Sequence, residues 1–275
     1  MSLFVSTELA ARVERVEAAF MRACSQAAAE RYRVASFQVP VAGGVATYAG
    51  PDSPFNKVAG AGFDALPTDD ELSEVERRYA VHGAAVNFEV STLAEPALGE
   101  LLSRRGYELV SFENVLLRQL LDPLPEVAAG ITVRRVEDLD GWLAVSVEAA
   151  LHPDTDGIPQ HDAFPREVLE RAERSAADAG ARLYLAEIDG RAAGAASARL
   201  ADGIAQLTGA GTRPSYRRRG VQRALTVARL SDARAEGCDL ATVTVQPGSP
   251  SHASTQGAGF DLAYSRAVLS LTRDS

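Results

Sequence analysis

Apolar residues recur along the chain with two different periods, and these periods predict a fold that mixes helices with strands. Spacings of three and four residues follow Ser6 and Thr7, either of which can cap a helix that runs to about Glu30. Residues on both sides of Asp189-Gly190 instead predict two strands joined by a two-residue turn.

The same patterns predict the remaining elements of both halves. In the N-terminal half they are strands at 33–39, 45–48 and 55–63, a helix from Thr68 to about His82, a strand at 84–90, a helix from Pro96 to near Gly106 and a strand at 107–120. In the C-terminal half they are a strand at 131–136, helices from Asp140 or Gly141 to about Leu151 and at 164–179, strands at 183–188, 191–200 and 204–212, a helix between Gly220 and Gly237, a strand at 239–245, a turn at 246–254 and a closing strand at 260–272.

One stretch of sequence occurs in two versions. Gly106-Tyr107-Glu108-Leu109 corresponds to Gly259-Phe260-Asp261-Leu262, 153 residues further along. Upstream, a glycine and a strand at 83–90 correspond to 237–245 at nearly the same offset. Amphipathic strands can resemble each other by chance, but the shared order favours two copies of one domain.

A proline-rich polar segment, Leu121-Asp122-Pro123-Leu124-Pro125-Glu126, interrupts the periodic pattern between these copies. Such segments are typical of domain boundaries. The sequence therefore predicts an N-terminal domain at 1–120, a linker at 121–128 and a C-terminal domain at 129–275.

A group of arginines lies around the connection between the strand at 204–212 and the following helix. Its members are Arg213, Arg217, Arg218, Arg219, Arg223 and Arg229, with no carboxylate among them, in a chain of net charge -9. Gly220 stands where the helix begins, and backbone amides at a helix start attract anions. The pattern favours binding of a specific anion, and the alternative is a solvated arginine run that only caps the helix.

Residues 212–225 resemble the acetyl-CoA loop of the GNAT superfamily of N-acetyltransferases. That family's pattern is Gln or Arg, two residues, Gly, one residue, and then Gly or Ala. Arg217 and Gly220 match the first two fixed positions, whereas Gln222 stands where a small residue is usual. The resemblance implies an α/β (α+β) fold of two GNAT-like domains, each a mixed, mostly antiparallel sheet flanked by helices. The N-terminal copy lacks the arginine loop, so we expect it to be a degenerate domain.

The resemblance also implies that acetyl-CoA is the co-substrate. The cofactor-binding residues that it implies are Ala210, Gly211, Thr212, Arg217, Arg218, Arg219, Gly220, Val221, Gln222, Arg223, Ser249 and Ser254. The strand at 210–212 corresponds to the backbone that pairs with the pantetheine arm, and the loop corresponds to the pyrophosphate site. The two serines follow the next strand and could hydrogen-bond pantetheine, although serines in such turns commonly cap a helix.

The catalytic residues are less clearly marked. An amine needs a base to accept its proton, and an acid helps the thiolate to leave. The position of the family's general-acid tyrosine corresponds to Thr255, which cannot replace a phenol, so Tyr264 is the candidate acid and Glu187 the candidate base. The alternatives are a half-buried strand aromatic and an exposed strand carboxylate. His152 and Asp154 lie in the loop where the family shapes its acceptor site, or are merely solvated.

Gly60-Ala61-Gly62-Phe63-Asp64-Ala65 matches the GxGxxA fingerprint of dinucleotide-binding proteins. The acidic residues around it, Asp64, Asp69, Asp70 and Glu71, would repel a pyrophosphate. We therefore interpret these glycines as a device for close backbone packing and expect no nucleotide site there.

Several classes of function are disfavoured by composition. A pI near 5.1 disfavours a general nucleic-acid binder, and no apolar run approaches the roughly 20 residues that span a membrane. The two cysteines form no disulfide framework and the start resembles no secretion signal, so a cytoplasmic location is expected. The four histidines show no metal-ligand spacing, and no metal is expected.

The sequence thus predicts an N-acetyltransferase that moves acetyl from acetyl-CoA directly to a primary amine. The alternatives are a non-catalytic CoA-binding module and a structural or partner-binding protein in which the arginines contact an acidic partner. The acceptor could be a peptide N-terminus, a lysine, a polyamine, an antibiotic or a small metabolite. The oligomeric state is left open.

Overall fold

The computed structural model describes residues 4–153 and 164–272. These residues form two compact units. One, here called the N-terminal unit, comprises Phe4–Asn114 and the described residues from Ala263 onward. The other, the C-terminal unit, comprises the described part of Val115–Leu262.

The N-terminal unit contains three helices and a mixed sheet. Its elements are helices α1 (Thr7–Tyr32), α2 (Asp69–Ala80) and α3 (Ala97–Arg104) and strands β1 (Phe37–Val41), β2 (Gly44–Tyr48), β3 (Lys57–Ala59) and β4 (Val86–Ser91), with most of strand β11 (Asp261–Leu271) and the first half of strand β5 (Glu108–Gln119). The strand order is β1-β2-β3-β4-β11-β5. β3 pairs with β4 in parallel, whereas the β1–β2, β2–β3 and β4–β11 pairs are antiparallel. An apolar core that includes Leu72, Phe88 and Leu98 fills the space between helices and sheet.

The C-terminal unit repeats this type of architecture. Its elements are the end of β5, strand β6 (Ile131–Val136), helices α4 (Leu139–Leu151) and α5 (Arg166–Asp178), strands β7 (Arg182–Ile188), β8 (Arg191–Ala201) and β9 (Ile204–Thr212), helix α6 (Val221–Ala235), strand β10 (Leu240–Val245) and helix α7 (Pro250–Gly257). The strand order is β5-β10-β9-β8-β7-β6. Strands β6 to β9 form an antiparallel meander, and β9 pairs with β10 in parallel.

The predicted fold class is confirmed, because each unit is a mixed, mostly antiparallel sheet flanked by helices. The local signals explain many of the elements. Ser6 caps α1 by accepting from the Leu9 amide at 3.2 Å. The Asp189-Gly190 turn joins β7 to β8 with both residues at positive φ, as a tight hairpin requires. The predicted linker lies within the C-terminal unit, and the domain boundaries stay a prediction.

Two predictions of local structure were wrong. Residues 246–254 do not form only a turn, because helix α7 begins at Pro250. Proline is suited to the first helical position, where no intrahelical amide bond is lost, and Ser249 caps the helix by accepting from the His252 amide at 3.1 Å. Strand β3 is also much shorter than the strand predicted at 55–63, because Gly60 adopts a φ of +73° directly after β3.

Candidate functional site

Strands β9 and β10 pair only at their beginnings. Residues 240–242 pair in parallel with residues 204–206. Both strands continue beyond that point, to Thr212 and Val245. On the side of β10, the described part of β9 after Gln206 therefore presents backbone groups that β10 does not satisfy. Such an edge can pair with an extended ligand, as sheet edges do in peptide recognition.

A bulge in β9 lies on this open edge. Ala196 pairs with Ala210, but Ser197 pairs with Thr208, so Gly209 is an extra residue in β9. Gly209 and Ala210 are exposed. A bulge of this kind bends the strand and changes the direction of its backbone groups, and bulges are common beside active sites.

Arg229 of α6 forms hydrogen bonds with the backbone next to the bulge. Its guanidinium donates to the carbonyls of Ser197 at 3.0 Å and Thr208 at 3.1 Å, and only 2% of the residue is exposed. Burial without a described carboxylate partner lowers its pKa to about 10. The hydroxyls of Ser197 and Thr208 lie 2.7 Å apart. The backbone on both sides of Gly209 is thus fixed by side chains as well as by the sheet.

Thr242 is the last residue of β10 that pairs with β9. It is buried, and its Oγ1 has no hydrogen-bond partner among the described residues. A buried hydroxyl left without a partner costs about 1–3 kcal/mol. The point where the two strands separate therefore contains a buried polar group without a hydrogen-bond partner among the described residues.

The connection from β9 to α6 ends in a helix start that no side chain caps. Gly220 is the N-cap residue at a φ of +86°, and the first turn of α6 contains no acidic residue. The first amides of an α-helix have no acceptor within the helix, and they carry the positive end of its dipole. A Cβ atom at Gly220 would lie 3.3 Å from Ala128 Cβ, so this backbone also packs closely. The arrangement suits a phosphate group.

The arginines of this connection lie at its surface or are only partly buried. Arg217 donates to the carbonyl of His152, and the Arg219 guanidinium lies 5.5 Å from the centre of the Tyr216 ring. Arg218 adopts a left-handed conformation at a φ of +59°. A non-glycine residue there is uncommon, and consecutive turns of this kind make concave anion sites from backbone amides.

Residues 147–260 match the family model of the acetyltransferase (GNAT) family. This part of the chain is a GNAT acetyltransferase domain. The matched segment contains the splayed strands, the bulge, the arginine connection and α6. The GNAT resemblance of residues 212–225 is thereby confirmed.

Solved structures show the same fold over nearly the whole chain. A GCN5-related N-acetyltransferase from Kribbella flavida is similar with a TM-score of 0.63 and 20% identity, and the match covers 92% of this chain and 96% of that one. A tandem GNAT protein from the clavulanic acid biosynthesis pathway matches with a TM-score of 0.60 and 14% identity, and the match covers 92% of this chain and 88% of that one. A GCN5-related N-acetyltransferase from Sphaerobacter thermophilus matches with a TM-score of 0.52 and 19% identity. That match covers 73% of this chain and 65% of the other chain. No curated protein matches the chain significantly.

Ten of the twelve predicted cofactor residues fall into two groups within the C-terminal unit. Ala210, Gly211 and Thr212 lie on the open end of β9, and Arg217 to Arg223 form the connection and the first turn of α6. In that turn Val221 is buried in the core, so that only its backbone is available, while Gln222 is partly buried and Arg223 is exposed.

Of the two predicted serines, Ser249 is the N-cap residue of α7 and Ser254 lies within α7, the helix that the sequence did not predict. The Ser249 side chain is buried and accepts from the His252 amide, and Ser254 is exposed. Ser249 therefore has the capping role that serines in such turns commonly have. Contact of either serine with pantetheine stays a prediction.

The two predicted catalytic residues lie in different units. Glu187 lies on β7 of the C-terminal unit and accepts from Arg134 at 3.1 and 3.2 Å. Tyr264 belongs to the N-terminal unit, where it is buried and donates to Glu14 at 2.8 Å. Burial raises the Tyr264 pKa far above its usual range, which does not favour proton donation. Both catalytic roles stay predictions that these contacts do not support.

Sequence reasoning missed Glu173 on α5. Its carboxylate accepts from Ser146 of α4 at 3.3 Å, and burial raises its pKa to about 7. The available signal was its place on the apolar face of α5. Glu173 follows Leu169 by four residues and precedes Ala177 by four, and both of those residues pack into the core beneath α4 and the sheet. A carboxylate at such a position is unusual unless it has a function or a partner.

The remaining expectations concern residues near the site. His152 ends α4, and its ring Nδ1 lies 2.9 Å from the Glu148 carbonyl, whereas Asp154 lies outside the described residues. In residues 4–153 and 164–272, no group of three or more His, Cys, Asp or Glu side chains could hold a metal ion. Over the same ranges, no helix is long and apolar enough to cross a membrane.

Proposed function

We propose that this protein is an N-acetyltransferase that transfers acetyl from acetyl-CoA to a primary amine by direct attack. One observation carries the proposal: a single strand, β9, supplies both a bulged open edge and the connection to an uncapped helix start. The first can hold an extended amide-containing chain and the second can hold phosphate. A ligand with a pyrophosphate at one end of such a chain, as CoA has, fits both.

The residues that would hold acetyl-CoA follow from this geometry. The amides at the start of α6 and the side chains of Arg217 to Arg219 and Arg223 would bind the pyrophosphate. The backbone of Ala210 to Thr212 would pair with the pantetheine arm in the manner of an added strand. The bound thioester supplies an acetyl carbon that is open to nucleophilic attack.

Two features of the chain suit the transfer step. The exposed backbone at Gly209 and Ala210 is held rigid by Arg229, and rigid amide donors stabilise the oxygen that becomes negative in acyl transfer. The unpartnered Thr242 hydroxyl lies where the strands separate, and a small opening at this point would let the buried Oγ1 donate to a bound amide or thioester.

A duplication of the domain within this chain is part of the proposal. β4, α3 and β5 begin at 86, 97 and 108, and β10, α7 and β11 begin at 240, 250 and 261. The offsets of 154, 153 and 153 residues agree with those of the sequence repeat. This agreement supports a tandem GNAT origin, with the N-terminal copy no longer used for the cofactor.

The test is a calorimetric titration of the full chain with acetyl-CoA, wild type beside Gly220→Asp. A side chain at a φ of +86° and a carboxylate next to the phosphate should together weaken binding on the order of 100-fold, about 2.7 kcal/mol. Gly237→Asp is the matched control, since Gly237 has a φ of +81° at the other end of α6 with no atom within 4 Å of an added Cβ. It should retain full affinity.

The outcomes separate the alternatives. Binding followed by acetylation of an amine in a panel of a lysine peptide, a peptide with a free N-terminus, spermidine and an aminoglycoside supports the transferase. Binding without turnover of any amine would indicate a CoA-binding module. No binding by the wild type would overturn the proposal and turn attention to an acidic partner for the arginines.

A further inference from the structure

Glu173 lies where helix α5 meets the bulge of β9. Its Oε1 is 2.9 Å from the position that a Cβ atom would take at Gly209. The absence of a side chain at Gly209 therefore makes room for the carboxylate. Since Gly209 is exposed, a partly buried carboxylate lies next to the open backbone of β9.

Helix α4 completes this arrangement from another direction. Ser146 donates to Oε1 of Glu173 at 3.3 Å, and a Cβ atom at Gly211 would lie only 2.5 Å from Ala149 Cβ. The glycines of β9 at 209 and 211 thus allow α5 and α4, respectively, to approach the strand. The two helices and the bulge fix the place of one carboxylate.

Charged residues of helices α4 and α5, which contain Ser146 and Glu173, take part in ion pairs. The ion pairs are Arg174 with Asp140, Arg166 with Glu170, and Arg213 with Glu148. β9 itself contains no charged residue. The Glu173 pKa is raised to about 7 by burial, and the hydrogen bond from Ser146 opposes that rise. Near neutral pH the group can therefore both take up and release a proton.

We infer that Glu173 is the proton acceptor for the amine, an inference that rests on the proposed function. The carboxylate takes one proton from the ammonium form of the acceptor and frees the lone pair of its nitrogen. That pair forms the new bond to the acetyl carbon, the carbon–sulfur bond breaks, and its electrons stay on the sulfur of CoA. A second proton passes from the nitrogen to that sulfur. Glu173 then returns its proton to water, so that one proton is released overall.

The experiment measures kcat/KM against pH for the full chain, with acetyl-CoA and an amine of the panel that the wild type acetylates. Because the carboxylate is the active form, the wild-type rate should rise with pH through an inflection near 7. Glu173→Gln should lose this inflection and about 100-fold or more in rate, while calorimetry finds its acetyl-CoA affinity unchanged. Glu170→Gln is the matched control, one helical turn away with the same loss of charge, and should behave like the wild type.

Ser146→Ala provides a second test, in which the readout is the pH of the inflection. A purely structural role of Glu173 would not predict a shift of that pH. The substitution removes the hydrogen bond that lowers the Glu173 pKa, so the inflection should shift to higher pH. An unchanged pH profile in Glu173→Gln, with amines still acetylated, would overturn this inference and leave the proposed function intact. Failure of the wild type to acetylate any amine would overturn both.

Discussion

Helices α2 and α6 each follow a strand and a glycine-containing connection, yet their first turns are built in opposite ways. Thr68 caps α2 by accepting from the Glu71 amide, and the Glu71 carboxylate accepts in return from the Thr68 amide at 2.8 Å. Asp69, Asp70 and Glu71 make this turn acidic. Helix α6 has Gly220 without a capping side chain, and its third residue is Arg223. The first helix satisfies amides of its first turn with its own side chains, whereas the second has no side-chain cap.

The same contrast extends to the surroundings of each helix. Beside the 60–68 connection, the N-terminal unit has a cavity of about 500 Å³ whose lining includes Glu8, Asp64 and Glu95 against a single Arg15. That charge disfavours a phosphate ligand. The glycines of the GxGxxA match serve packing, as interpreted from the sequence, since a Cβ atom at Gly60 would lie 2.9 Å from the Glu14 carbonyl oxygen.

Buried charge is also treated differently in the two units. In the N-terminal unit Arg266 is 1% exposed and donates to Glu14 at 2.8 Å, to Glu89 at 3.2 Å and to Glu113 at 3.5 Å. Burial and the nearby Glu89 charge raise the pKa of Glu113 to about 7. In the C-terminal unit the described hydrogen bonds of the buried Arg229 go to backbone carbonyls and to Thr226. One arginine neutralises carboxylates, and the other shapes a strand.

The largest expected effect comes from replacing these two arginines by methionine. Arg266→Met removes the cation that contacts Glu14, Glu89 and Glu113 and should lower the free energy of unfolding by about 3–5 kcal/mol. Arg229→Met leaves uncharged carbonyls unsatisfied and should cost less, about 1–3 kcal/mol. Urea unfolding measures both. Arg104→Met, at an exposed pair with Glu100, is the control and should cost less than about 0.5 kcal/mol. Equal costs for Arg266 and Arg229 would contradict the contrast.

A smaller effect is expected when the first turn of α6 is made to resemble that of α2. Arg223→Glu places a carboxylate at the position that Glu71 has in α2, where it competes with phosphate for the open amides. Acetyl-CoA affinity should fall about 10-fold, or 1.4 kcal/mol, and the loss should shrink with added salt. Arg135→Glu makes the same change of charge on β6, near Glu236 at the far end of α6, and should leave the affinity within about 2-fold. A similar loss in both variants would show that only net charge matters.

The smallest effect concerns the cap of α2. Hydrogen bonds from Thr68 hold the Glu71 pKa below its usual value, so the ionised carboxylate stabilises the fold above the unfolded pKa of 4.5. This contribution is lost as the pH falls through the lower folded-state pKa. Glu71→Ala should therefore cost about 1 kcal/mol near pH 7, and the difference from the wild type should shrink in acid. Asp70→Ala, one residue away, controls for charge alone, and a pH-independent cost at Glu71 would contradict the capping argument.

Sequence reasoning located the parts of the site that are local in the chain. The bounds of β6 and β9 are the predicted ones, because the alternation of apolar and polar residues acts over few residues. The arginine connection is likewise a short-range pattern, in which Gly220 and its neighbours lie between one strand and one helix. Such signals need no knowledge of which elements meet in space.

The missing parts depend on contacts that the chain order does not specify. Glu173 becomes a candidate only when α5, α4 and the bulge at Gly209 come together. Tyr264 was a candidate because it lies on the predicted closing strand of the C-terminal half, but β11 lies between β4 and β5 in the N-terminal unit. A strand's neighbours in a sheet are often not its neighbours in the chain, and no local pattern of residues 261–271 indicates this placement.

The position of β11 also affects how the protein forms during synthesis on the ribosome. Residues up to Asn114 of the N-terminal unit leave the ribosome first, but the strand that fills the gap between β4 and β5 follows only from Ala263, nearly 150 residues later. At 5–20 residues per second, that is a delay of roughly 7–30 s. During this interval Glu14 and Glu89 of the nascent chain lack Arg266. The half that is made first is therefore completed last.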